Sequence, residues 1–197
     1  MTSKISTLPK ICILWSSINK DGHTYNVAKY LTSAMKETGL VNVDNIYLNE
    51  DFNLSELDDA TMIVLGSPTY MGSVHSQMKI FFEKSGENWS KQKWSNKLAA
   101  GFTNSGFPSG DNVMTLHQMM TFACQHSMLW IPFGIKSHKV EIDNQKIAIN
   151  ELGGYAGLLT QSSKELSPGN IMTISMFGKR LAEIANRYST VHDHYHA

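Results

Sequence analysis

The chain has 197 residues, 42% apolar and only 17% charged, with 17 Lys plus Arg set against 17 Asp plus Glu. It is long enough for one domain that buries about 70% of its unfolded surface without a staple, and too apolar to be disordered. The even charge balance excludes a basic face for nucleic acid and a strongly acidic docking shuttle.

Residues 11–15 (ICILW) form a continuous apolar run, which predicts a strand covered on both faces, as in a parallel sheet. A polar loop follows over 16–22. Val27, Ala28, Leu31, Ala34 and Met35 then recur at helical spacing up to Gly39. Residues 46–48 read as a weaker second strand and 54–59 as a helical turn. A buried strand over 62–65 runs into Gly66-Ser67-Pro68-Thr69, and Val74, Met78, Phe81 and Phe82 mark the next helix. A strand over 98–102, a loop rich in Ser, Gly and Pro, a helix over 113–125 and a strand over 128–133 continue the alternation. An irregular stretch over 135–167 holds one short apolar piece at 157–159, and residues 139–150 read as a hairpin or an excursion toward a neighbouring subunit. The last helix is predicted from Pro168, with Ile174, Phe177, Leu181, Ile184 and Tyr188 on one face. Five apolar strands alternating with amphipathic helices predict one α/β domain with a parallel sheet. Its core covers about residues 10–188, with 189–197 a disordered tail.

Such sheets place ligands beyond the carboxyl ends of their strands, at the point where strand order reverses. Three loops therefore matter. The first, residues 16–24, puts hydroxyls and Gly22 at a helix start, which makes a phosphate cradle from orphan N–H groups and the positive helix end. It is neither a P-loop nor GxGxxG. The same residues also suit an ordinary capped loop, with Thr24 as the cap. The second, residues 66–74, projects Tyr70 and Met71 from a Pro-fixed turn, either to border a flat ring or simply to cover the sheet end. The third, residues 103–110, either wraps the opposite side of a ring or is a solvated loop.

The segments GSPTYMGSVHSQMKIFFE (66–83), the loop 103–110 and QHSMLWIPFG (125–134) resemble the flavodoxin-like, FMN-dependent NAD(P)H:quinone oxidoreductases of the tryptophan-repressor-binding type. The first loop is more like that of NADPH-dependent FMN reductases, and Tyr70-Met71 stand where the founding group has an Arg-aromatic pair. The resemblance implies a three-layer sandwich whose five-stranded parallel sheet has the order 2-1-3-4-5. It places Ser16, Ser17, Ile18, Gly22, His23 and Thr24 around the FMN phosphate. Pro68, Thr69, Tyr70, Met71 and Gly72, together with Thr103, Asn104, Ser105, Gly106, Phe107 and Pro108, fall in the two flavin-ring loops. Trp89 matches a position beside the substrate pocket. His126 matches a histidine near the flavin, where it stabilises the reduced ring by hydrogen bonding.

The activity so implied is a two-electron, ping-pong transfer from NAD(P)H through noncovalent FMN to a quinone or similar small acceptor. The expected protein is a cytoplasmic homodimer or homotetramer, with no membrane span, no nucleic-acid partner and no metal. A flavodoxin-type carrier passing single electrons to a protein partner is the alternative. Cys12 and Cys124 follow no pairing or metal spacing and read as free thiols. The spacing of His192, His194 and His196 looks metal-like, but no second ligand cluster accompanies it.

Overall fold

The computed structural model describes residues 8–195, and side chains as far as residue 190. The strands β1 (Lys10–Trp15), β2 (Asn42–Tyr47), β3 (Met62–Pro68), β4 (Leu98–Ser105) and β5 (Leu129–Trp130) pair in parallel in the order β2-β1-β3-β4-β5. The helices α1 (His23–Lys36), α2 (Ser76–Lys84), α3 (Gly86–Ser90), α4 (Asn112–Gln125) and α5 (Pro168–Tyr195) cover the sheet.

The apolar runs serve two cores at once because side chains alternate across a strand. Ile11, Ile13 and Trp15 of β1 face one core with Val27 and Leu31 of α1 and Ile174, Phe177 and Leu181 of α5. Cys12 and Leu14 face the other, with Met78 and Phe81 of α2, Trp94, and Leu116, Met119 and Phe122 of α4. In that setting burial pushes the Cys12 thiol up to about 11, so it packs as an inert apolar group.

Three parts of the sheet differ from the sequence expectation. β2 starts at Asn42, earlier than expected, because an edge strand carries polar residues such as Asn42 and Asp44 and shows no continuous apolar run. The expected strand over 128–133 pairs with β4 only at Leu129 and Trp130. Ile131 N–H still reaches the Ala99 carbonyl at 2.7 Å, and Pro132 then removes the next donor. The chain leaves the sheet for a hairpin, β6 (His138–Ile142) and β7 (Gln145–Ile149), turned by Asp143 and Asn144 at φ 51° and 61°. Of the two readings for residues 139–150, the hairpin is the one formed.

The chain then returns as β8 (Leu158–Gln161), which pairs in parallel with the upper half of β4, Phe102 opposite Leu158 through Ser105 opposite Gln161. The fifth sheet position is thus filled by two pieces, β5 low and β8 high, making six strands in the sheet where five were expected. Finally, α5 continues through residues 189–195, which the sequence analysis assigned to the tail. The side chains of the His192–His196 spacing lie outside the described residues.

Candidate functional site

The loops after β1, β3 and β4 meet at the carboxyl edge of the sheet, together with a fourth segment after β8. Ser17, Asn19, Gly22, His23, Thr24, Pro68, Thr69, Tyr70, Asn104, Ser105, Gly106 and Ser162 line one cavity of about 330 Å³ there. Hydrogen bonds tie the loops to one another. Thr24 Oγ1 donates to Asn104 Oδ1 at 2.9 Å, and Thr69 N–H donates to the Asn104 carbonyl at 2.7 Å. Ser162 N–H donates to the Ser105 carbonyl at 2.8 Å, and His23 Nε2 lies 3.0 Å from Thr160 Oγ1. Burial lowers the His23 pKa, so its ring sits neutral in this wall.

At the first loop, Gly22 is the N-cap of α1, which therefore has no side-chain cap on its first N–H groups. At the other end of the same loop, right after β1, Ser16 is fully buried and its hydroxyl finds no partner among the described residues. Buried polar groups are normally paired, and a helix start without a side-chain cap leaves N–H groups that can meet an anion. Thr24, one reading of which was a cap, spends its hydroxyl on Asn104 and does not cap the helix.

At the second loop, Tyr70 and Ser73 exchange both backbone hydrogen bonds, at 2.9 and 3.0 Å, around Met71 and Gly72 at φ 49° and 71°. This two-residue turn suits the glycine but strains Met71 by about 1 kcal/mol, and it leaves the Met71 side chain fully in solvent. The turn is held from below by Thr69 Oγ1, which lies within 2.8–3.1 Å of Thr103 Oγ1, Asn112 Oδ1 and Thr115 Oγ1. At the third loop, Ser105 Oγ donates to the Phe107 carbonyl at 2.6 Å, while Phe107 is 77% exposed and Pro108 is exposed. Ile18, Tyr70, Met71 and Phe107 thus give the cavity an exposed apolar surround at the sheet's carboxyl edge.

Trp89 and His126 stand elsewhere. They line a second groove, of about 640 Å³, between α2–α3 and α4, which shares no residue with the first cavity. Trp89 is half exposed. His126 is almost wholly buried, and its pKa is pushed down to about 4 by burial, so it is neutral at pH 7. The first cavity also contains Ser162 on a wall built by β8, which the sequence analysis did not assign to the site. The available signal was the apolar pair at 158–159 leading into Thr160-Gln161-Ser162-Ser163, the same strand-into-hydroxyl pattern as the first loop.

The model of the NADPH-dependent FMN reductase family matches residues 9–137. The chain belongs to that family. Among the relatives of this family member is the flavodoxin FldP of Pseudomonas aeruginosa, 32% identical over 171 residues, or 84% of this chain and 92% of that one. An NAD(P)H dehydrogenase (quinone) from Archaeoglobus fulgidus is 30% identical over 132 residues, 67% of this chain and 63% of the relative. Among solved structures, a flavodoxin, WrbA-like protein from Agrobacterium tumefaciens superposes with a TM-score of 0.71 at 26% identity, covering 91% of this chain and 99% of that one. Family and fold together make the protein a flavodoxin-like flavoprotein oxidoreductase, as the sequence resemblance implied. Among the described residues no helix is long and apolar enough to cross a membrane.

Proposed function

We propose that the protein is an FMN-dependent NAD(P)H:quinone oxidoreductase of the cytoplasm. The observation that carries the cofactor is the cavity lined by Ser17, Gly22, His23 and Thr24 at the uncapped start of α1 and by Pro68, Thr69, Tyr70 and residues 104–106 of the two other loops, with an exposed apolar surround. A nucleotide phosphate fits the helix start and a flat ring fits the apolar surround. Ser16, Ser17 and residues 22–24 would hold the phosphate, and residues 68–72 and 104–107 would border the ring. When bound, FMN supplies the two-electron redox chemistry, and the chain supplies binding and orientation. The Thr69–Thr103–Asn112–Thr115 network ties the ring loop to β4 and α4, and the exposed Tyr70, Met71 and Phe107 would border the ring when it is bound. The nicotinamide donor and the quinone acceptor rest on the naming of the family and of the Archaeoglobus relative.

Trp89 and His126 line a separate groove, so in this reading they reach the acceptor only through assembly, one copy offering its groove to the loop tips of another. A homodimer or homotetramer is therefore part of the proposal, and a fully active monomer by light scattering overturns that part.

The second reading is a flavodoxin-type electron carrier for a protein partner, favoured by the likeness to FldP over 84% of the chain. One experiment separates the two. A purified yellow protein, bleached anaerobically by NADPH or NADH and recoloured by benzoquinone, is the expected result. Bleaching by dithionite alone supports the carrier, and a colourless protein that takes up no FMN overturns the cofactor.

A further inference from the structure

Beside the cavity of the three loops lies a further one, of about 550 Å³, between α1 and the chain that follows β8. The two cavities meet at Gly22, His23 and Ser162, which line both. His23 stands at the waist between them, partly buried, with Nε2 3.0 Å from Thr160 Oγ1 of β8. From Gly22 the further cavity runs along α1 past Asn26 to Tyr30, eight residues or about 12 Å of helix. Asn26 and Tyr30 are four residues apart and so share one face of that helix. The chain after β8 supplies Ser163, Lys164 and Glu165. Apart from Gly22, Leu166 and the Tyr30 ring, the lining is polar. Gly22 and His23 are also residues that would meet the cofactor phosphate, so the further cavity begins where FMN would end. A group that fills it is therefore most simply one joined to that phosphate. A nicotinamide donor must instead reach Pro68, Thr69, Tyr70 and residues 104–106, which line the first cavity and not the second.

We propose that the cofactor site also takes a flavin dinucleotide, FAD, whose adenylyl half lies in this further cavity. The inference rests on the flavin reading of the first cavity. Tyr30 offers a flat face on which a purine can stack. The Asn26 amide, at once donor and acceptor, suits the purine edge, and the Lys164 ammonium suits the second phosphate. The carboxylates of Asp21 and Glu165 only accept when ionised, which suits ribose hydroxyls. An adenosine phosphate carries all of these groups, and its ribose and purine laid end to end match the length of the cavity along α1.

The test equilibrates the full chain with equal free concentrations of FMN and FAD, then releases the bound flavins and separates them by chromatography. FAD should occupy roughly ten times as many sites as FMN, the worth of one stacked base. Tyr30→Ala should bring that ratio to about one and leave the affinity for FMN unchanged, since the ring is 38% exposed and belongs to neither core. Tyr30→Phe keeps the stacking face and should keep the ratio. Parity or an excess of FMN on the unmodified protein overturns the proposal, as does a ratio indifferent to Tyr30→Ala. An unchanged ratio with a raised KM for NADPH in Tyr30→Ala also overturns it and gives the cavity to the adenosine of the donor. A chain that takes up neither flavin overturns the cofactor reading itself, an outcome the same chromatogram distinguishes from binding of FMN alone.

Discussion

The buried neutral histidine at position 126 makes stability depend on pH in a calculable way. In the unfolded chain the ring takes a proton near its ordinary value of 6.5, whereas in the fold its pKa is pushed down to about 4 by burial. Protons therefore bind the unfolded state preferentially between these values. The contribution is fully present above about pH 7 and is lost as the pH falls through 6.5 toward 4. Each tenfold difference in proton affinity corresponds to about 1.4 kcal/mol. The whole difference is then about 3.4 kcal/mol, and about 2 kcal/mol is already gone at pH 5. His126→Gln removes the titration and keeps a donor for Ser85, at a packing cost that does not vary with pH. Urea unfolding of both proteins from pH 8 to pH 5, each saturated with FMN, should show the unmodified chain losing about 2 kcal/mol more than the variant. Burial lowers the pKa of His23 and His75 in the same direction, but both remain in each protein and cancel in the comparison. Parallel stability curves over that range would refute the assignment of a buried, uncharged His126.

Ser16→Ala should weaken FMN binding by about tenfold or more while leaving the flavin-free melting temperature unchanged or raised, because the hydroxyl it removes has no partner among the described residues. Quenching of flavin fluorescence on titration reads this, and an unchanged affinity counts against a phosphate at that corner. Met71→Gly relieves the backbone at φ 49° and should raise thermal stability slightly, yet lower FMN affinity through the lost thioether at the ring. Movement of both quantities in the same direction would show that the side chain does not border the ring. Gly157→Ala would place a Cβ 2.5 Å from the Gly101 carbonyl oxygen and 2.7 Å from Leu116 Cδ2. Pushing β8 off β4 should cost about 1–3 kcal/mol of stability and loosen the flavin, and an unaltered melting curve would contradict the close approach.

Legibility from sequence followed burial. Strands covered on both faces, such as β1 and β3, announce themselves as unbroken apolar runs, and α1, α4 and α5 carry regular apolar stripes. The edge strand β2 was half seen because its exposed positions carry Asn and Asp. The split between β5 and β8 was not seen, since pairing with β4 at long sequence separation (Leu98 opposite Leu129, Phe102 opposite Leu158) leaves no local periodicity, and β8 is only four residues long. The same blindness carried into the site. Residues 16–24, 68–72 and 103–108 were found as loops following strong strands, whereas Ser162 was missed because its strand was missed. Trp89 and His126 were found as residues, but their common groove depends on how α2–α3 lies against α4, a contact between elements that no spacing encodes.

The cradle holds several features that the fold alone does not reward: a buried hydroxyl without a partner, a helix start without a cap, a methionine in the left-handed region, and bulky apolar side chains in solvent. Each opposes stability, and all belong to the loops that bound one cavity, above the fully buried strands β3 and β4. Local features of this kind gathered in three adjoining loops fit a site shaped for a ligand as well as for folding. Its thermodynamic consequence is linkage. A ligand that matches the hydroxyl and helix end with a phosphate, and the apolar surround with a ring, adds about 2.7 kcal/mol of stability at a hundred times its dissociation constant. On the proposed reading, FMN would act as part of the folded structure as much as a reagent carried by it.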